Sequence, residues 1–168
     1  MSFKAIFLDR DGVINIDKGY VYKKEDFIFV PDIFETLRYL LNRGYLLFIV
    51  TNQSGIARGY YSEEDFLKLT KQMMHEFAKQ NIKITKLYYC PHAPETNCPC
   101  RKPNPKMLLD AQKEFDIDMS ASWLIGDKQS DIEAGVKAGV KNLIYMGEGE
   151  CVGAQKIASL KEVMKFIA

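Results

Sequence analysis

Asp9 and Asp11 carry the strongest chemical signal in the chain. They follow the apolar run Ile6-Phe7-Leu8 and precede Gly12-Val13. In extended backbone, side chains two apart share a face, so both carboxylates can serve one site while Arg10 points elsewhere. Like charges held that close need a cation or a shared proton. The pair therefore suggests a divalent metal site, or a nucleophile beside an acid.

Other polar groups stand where they can join this pair. Asp127 follows the apolar run Trp123-Leu124-Ile125 and Gly126, giving with Asp9 and Asp11 three carboxylates for one small hard cation. Oxygen ligands without nitrogen or sulfur suit Mg²⁺. Thr51-Asn52-Gln53-Ser54-Gly55 offers a hydroxyl, amides and flexible backbone that can donate to phosphate oxygens. Arg101 and Lys102 supply cations, Arg bidentately, and Lys128 can reach a substrate anion. Asp131 caps the following helix, orients a neighbour, or ligates the metal.

Cys90, His92, Cys98 and Cys100 fall within eleven residues. Three thiols and one imidazole match tetrahedral structural zinc, with every position taken by protein and none left for chemistry. This Zn²⁺ loop, at 90–100, would fix the approach of Arg101 and Lys102.

Strand and helix signals alternate along the chain. Strands are expected at 4–9, 45–50, 84–89, 122–125 and 142–146. Helices are expected from the capping-box pattern Asp32-x-x-Glu35 to Gly44, and from Ser62-x-x-Asp65 to about Gln80. A third starts with Pro105 in its first turn, a fourth covers 130–138, and Ser159-x-x-Glu162 opens the last. Such alternation predicts an α/β fold in three layers, with a central parallel sheet. Ligands of such sheets gather beyond the carboxyl ends of the strands, where Asp9, Asp11, Thr51, Asn52 and Asp127 all fall.

The whole chain, 1–168, reads as one domain. A net charge of +1 gives no global attraction for nucleic acid, and no apolar run reaches the ~20 residues of a membrane span. Met1-Ser2-Phe3-Lys4 runs straight into a strand, so a cytoplasmic monomer without membrane or nucleic-acid partners is expected.

The ordered segments DRDGV, TNQSG, RKP and GDKQSD resemble the motifs of the haloacid dehalogenase superfamily of phosphatases. The resemblance runs from Asp9 to Asp131, most of the chain. It implies a Rossmann-like fold, with Asp9 as a nucleophile forming an aspartyl-phosphate and Asp11 as general acid and base. Thr51 and Arg101 would stabilise the phosphoryl group. Asp9, Asp11 through its carbonyl, and Asp127 would hold Mg²⁺.

Together with the CPH…CPCRKP loop, TNQSGIARG is similar to the branch that acts on phosphorylated sugars. That implies hydrolysis of the C7 phosphate of a heptose bisphosphate, with histidinol phosphate as the alternative. A zinc-stabilised binding protein without activity is the alternative outside enzymology. Little chain is left over for a cap, so short loops must select the substrate. Asp17-Lys18-Gly19-Tyr20 resembles a sugar-contacting segment, and Arg58, Lys102 and Lys128 are candidates for a second phosphate.

Overall fold

The computed structural model describes all 168 residues. Six parallel strands make one sheet: β1 (Ala5–Leu8), β2 (Leu46–Asn52), β3 (Lys86–Cys90), β4 (Trp123–Gly126), β5 (Asn142–Tyr145) and β6 (Gln155–Lys156). Their order is β3-β2-β1-β4-β5-β6. The chain moves outward from β1 through β2 to β3, then crosses back to the other side of β1 with β4. That reversal opens a crevice at the carboxyl end of β1, the usual ligand position in such sheets.

Strand alternation splits the core. Ile6 and Leu8 face one side with Leu47 and Ile49, against α1 (Ile33–Asn42), α2 (Glu63–Lys79) and the short α5 (Val163–Phe166). Ala5, Phe7, Phe48 and Val50 face the other, against α3 (Lys106–Phe115) and α4 (Gln129–Ala138). With both faces covered, β1 reads as a continuous apolar run rather than an alternating one.

The helices follow their apolar spacing. Ile33, Leu37 and Leu40 are the buried stripe of α1, and Phe66, Leu69, Met73 and Phe77 that of α2. Ser62 and Asp65 form the expected reciprocal cap, at 3.0 and 3.1 Å. At Ser159 the Glu162 carboxylate accepts from the Ser159 N–H at 2.9 Å, but this opens a 3₁₀ turn ahead of the four-residue α5.

Two expectations fail. Asp32 does not cap α1: its backbone is left-handed (φ 71°) and its side chain makes no capping bond. A left-handed residue aims its side chain away from the first-turn amides, whereas a capping residue is extended. The sheet also has six strands instead of five. The sixth is two exposed residues at an edge, too short and polar to leave a pattern. No helix is long and apolar enough to cross a membrane.

Candidate active site

Asp9 leaves β1 at the reversal point, with its backbone N–H still bonded to Ile125 of β4 at 3.2 Å. The residue is 7% exposed. The Lys102 ammonium lies 3.1 Å from Asp9 Oδ1 and 2.5 Å from Asp131 Oδ1, and donates to the Val50 carbonyl at 2.8 Å. Lys102 is itself buried. It bridges two carboxylates under the floor of the site, where an isolated charge would be very costly.

This placement corrects one sequence expectation, that Lys102 faces a second phosphate. The fold turns Lys102 inward to Asp9 and leaves Arg101 lining the cleft above. Asn52 enforces the choice, since its side-chain amide accepts from the Lys102 N–H at 3.0 Å and donates to the Lys102 carbonyl at 3.2 Å. That clamp also engages the Asn52 amide with the chain itself, where substrate binding was expected.

Oxygens of Asp9, Asp127 and Asp131 lie within 4.8 Å of one another. Burial pushes the Asp9 carboxyl well above the usual carboxylate range, the nearby Asp131 charge adds to this, and Lys102 opposes both. Asp127 is raised too, first by burial and then by Asp131. Asp127 Oδ1 is buried with no partner. An orphaned carboxylate oxygen facing a second carboxylate is what a small oxygen-liganded cation would satisfy, so the residues fit Mg²⁺. Asp131 has both oxygens engaged, Oδ1 by Lys102 and Oδ2 by the N–H groups of Asp127 and Lys128 at 3.1 Å each. Of the roles open to it, positioning is the one its bonds favour.

Gly12 makes room for this centre. Its φ is +93°, and a Cβ there would sit 2.0 Å from Asp127 Oδ2.

The Asp11 side chain stands apart from that cluster. Oδ1 accepts from Arg10 Nη2 at 2.9 Å, from Arg10 Nε at 3.3 Å and from Asn15 Nδ2 at 2.9 Å. Oδ2 accepts from Gln53 Nε2 at 3.1 Å. Arg10 was expected to look elsewhere. Instead it is 1% exposed, grips Asp11 and donates to the Val21 carbonyl at 2.8 Å. The chain turns sharply after Asp9, with the N–H groups of Val13, Ile14 and Asn15 all reaching the Arg10 carbonyl, so the alternation of extended backbone stops there.

Thr51 is buried one residue before the end of β2, and its Oγ1 accepts from Gln53 Nε2 at 2.9 Å. The Gln53 amide carbonyl accepts from the Tyr61 hydroxyl at 2.5 Å. Burial pushes that hydroxyl up to about 12, so it remains a donor at neutral pH. Gln53 was expected to bind substrate, yet both its amide hydrogens and its carbonyl are already committed. Sequence reasoning gave Tyr61 no duty. The available signal was Gly55, where a Cβ would meet the Tyr61 ring at 2.2 Å.

Above this floor is a cleft of about 350 Å³, walled by Asp17, Gly19 and Tyr20 on one side and by Ser54, Arg58, Arg101 and Lys128 elsewhere. Lys18, also expected here, is exposed and outside the wall. Arg101 Nη1 is buried without a partner. Three cations thus surround one polar opening.

Cys90, His92, Cys98 and Cys100 converge beside the site. Sulfur separations are 2.7 to 3.6 Å, and His92 Nδ1 lies 3.5 Å from Cys90 and 3.3 Å from Cys100. Burial works against ionising Cys98, but hydrogen bonds from Cys90, Cys100 and the Arg101 backbone outweigh it and hold that thiol down to about 6. A ready thiolate among three further soft donors fits zinc. The cluster is tied to the floor, since the Cys90 carbonyl accepts from the Gln53 N–H at 2.8 Å.

Comparison with known proteins agrees with this geometry. Residues 99–156 match the family model described as HAD-hydrolase-like. A Campylobacter jejuni protein, D-glycero-alpha-D-manno-heptose-1,7-bisphosphate 7-phosphatase, is 57% identical over 99% of this chain and 96% of its own length. The corresponding beta-anomer phosphatase of Helicobacter pylori is 53% identical over 85% of this chain and 83% of its own. Among solved structures, the D,D-heptose 1,7-bisphosphate phosphatase of B. bronchiseptica, complexed with magnesium and phosphate, superposes with a TM-score of 0.87. It is 28% identical, and 97% of each chain is covered.

Proposed function

The chain belongs to the heptose 1,7-bisphosphate 7-phosphatases of the haloacid dehalogenase superfamily, and on that premise we propose how its residues remove the C7 phosphate. One observation carries the reading: a buried carboxylate, Asp9, held 3.1 Å from a buried ammonium at the sheet's reversal point, with an unsatisfied Asp127 oxygen nearby. When bound by Asp9, Asp127 and the Asp11 carbonyl, Mg²⁺ offsets the repulsion between carboxylate and phosphate.

An Asp9 oxygen attacks phosphorus as the bond from phosphorus to the C7 oxygen breaks, giving an aspartyl-phosphate and a sugar alcohol. Lys102 holds Asp9 in place and balances charge on the transferring group, which the Thr51 hydroxyl also contacts. Asp11 gives a proton to the departing C7 oxygen. It then takes one from water, whose oxygen attacks phosphorus and releases phosphate, restoring Asp9. Arg101, Arg58 and Lys128 receive the phosphate at C1, while Asp17, Gly19 and Tyr20 face the sugar. The zinc cluster performs no step and holds the segment that carries Arg101 and Lys102.

The test is phosphate release with Mg²⁺ from both heptose 1,7-bisphosphate anomers and from histidinol phosphate. One equivalent is expected from the heptose, with the C1 phosphate retained by phosphorus NMR. Asp9→Asn lowers turnover at least about 10³-fold. A preference for histidinol phosphate overturns the substrate reading, and near-native turnover by Asp9→Asn overturns the nucleophile.

A further inference from the structure

The bonds to Asp11 are of two kinds. Oδ1 is saturated by Arg10 and Asn15, side chains fixed by the turn after β1. Oδ2 has one protein partner, Gln53 Nε2 at 3.1 Å. Whether that contact attracts or repels depends on which way the Gln53 amide faces, because its two ends have opposite polarity.

Three bonds hold the orientation, and the Tyr61 hydroxyl is the only one of them at the carbonyl end. Tyr61 donates to Gln53 Oε1 at 2.5 Å, which places Nε2 between Asp11 Oδ2 and Thr51 Oγ1. Gln53 and Tyr61 are 3% and 6% exposed, so water does not readily replace this donor. The Tyr61 ring stacks on Tyr22 at 5.3 Å and rests on Gly55, so it stays in place without its hydroxyl. Removing that hydroxyl would leave the amide oxygen without its partner and loosen the Nε2 contact that aims Asp11 Oδ2.

We propose that Tyr61, acting through Gln53, is a positioning residue for the acid Asp11: its hydroxyl fixes the amide that aims Asp11 Oδ2 at the departing oxygen. The inference rests on the phosphatase reading above. It goes further in assigning a role to a side chain that acts on Asp11 through its bond to Gln53.

Departure of a sugar alkoxide needs a proton from Asp11, whereas departure of p-nitrophenolate does not, so the leaving group separates acid positioning from general damage. With Tyr61→Phe, kcat on the heptose bisphosphate falls about tenfold, a fraction of what acid catalysis supplies. KM stays within about twofold, and kcat on p-nitrophenyl phosphate falls several times less. Gln53→Met shows the same selectivity. The double variant loses no more than Gln53→Met alone, because the hydroxyl acts only through the amide.

Equal losses on both esters, additive losses in the double variant, or unimpaired Tyr61→Phe turnover would each overturn the relay while the phosphatase reading stands. If the parent chain releases no phosphate from either ester, the phosphatase reading falls and takes the relay with it.

Discussion

Lys102 shows how a side chain's worth is set by what encloses it. Its ammonium is buried between Asp9 and Asp131, so its removal leaves two carboxylates in a dry floor. Breaking a buried pair costs about 3–5 kcal/mol, and the lost charge stabilisation costs about 10²–10³ in rate. Lys102→Met is therefore expected to lower both the urea midpoint and kcat; a normal kcat in a folded variant would deny the lysine its place beside phosphorus. The sequence showed a cationic pair after the cysteine loop but not which member turns inward. That choice belongs to the Asn52 clamp, fifty residues away, which adjacency cannot reveal. Arg10 was misjudged for a related reason. The rule that alternates side chains holds only while backbone is extended, and the backbone turns at the glycine-bearing corner that brings Arg10 back onto Asp11.

At the scale of elements, legibility followed how strongly each segment's own residues fix it. The buried runs of β1 and β2 and the three- and four-residue spacing of α2 were readable because burial imposes them locally. The cap at Ser62 was readable and forms, but Asp32 and Glu35 offered the same kind of pattern on a left-handed backbone. The cysteine loop was legible in its ligands and opaque in its reach. Its carbonyl at Cys90 anchors Gln53, so the loop holds part of the acid's support as well as Lys102. Elemental analysis is expected to find about one zinc per chain, and Cys98→Ser/Cys100→Ser to lose it. The same variant should melt roughly 10 °C lower and turn over more slowly. Full activity without the metal would free the loop of any positioning role. At the opposite edge, Glu162 accepts from the Ser159 N–H at 2.9 Å and from the Ala158 N–H, and the Ser159 bond foremost holds its carboxyl below the usual range. A lowered folded value means stabilisation above the unfolded pKa of about 4.3, lost as pH falls through the folded value. Glu162→Gln should thus match the parent in acid and be less stable at neutral pH in urea titrations.

For the molecule as a whole, a net charge of +1 hides an uneven distribution. Three carboxylates outnumber one lysine in the floor, whereas Arg58, Arg101 and Lys128 face the cleft alongside Asp11 and Asp17. The sheet's order produces this separation: β1 and β4 deliver carboxylates at the reversal point, while the segments after β2 and β3 deliver the arginines to the rim. No domain is inserted between β1 and α1 or between β3 and α3 to cover this crevice, so we expect selection to rest on those rim charges. A substrate with two phosphates uses both levels, reacting at the floor and anchored at the rim; a monophosphate uses the floor alone. Arg101 is the strongest rim candidate, since its Nη1 is buried and unpartnered and gains a charge-assisted bond only when an anion arrives. Arg101→Ala is therefore expected to raise KM for heptose 1,7-bisphosphate about tenfold or more, as hydrogen bonds to charged groups contribute roughly 1.5–3 kcal/mol. KM for heptose 7-phosphate, which lacks the second anion, should change by less than about threefold, because the binding removed is specific to the C1 phosphate. Equal effects on the two sugars would move Arg101 from the rim to the reacting phosphate, and with it the division between floor and rim.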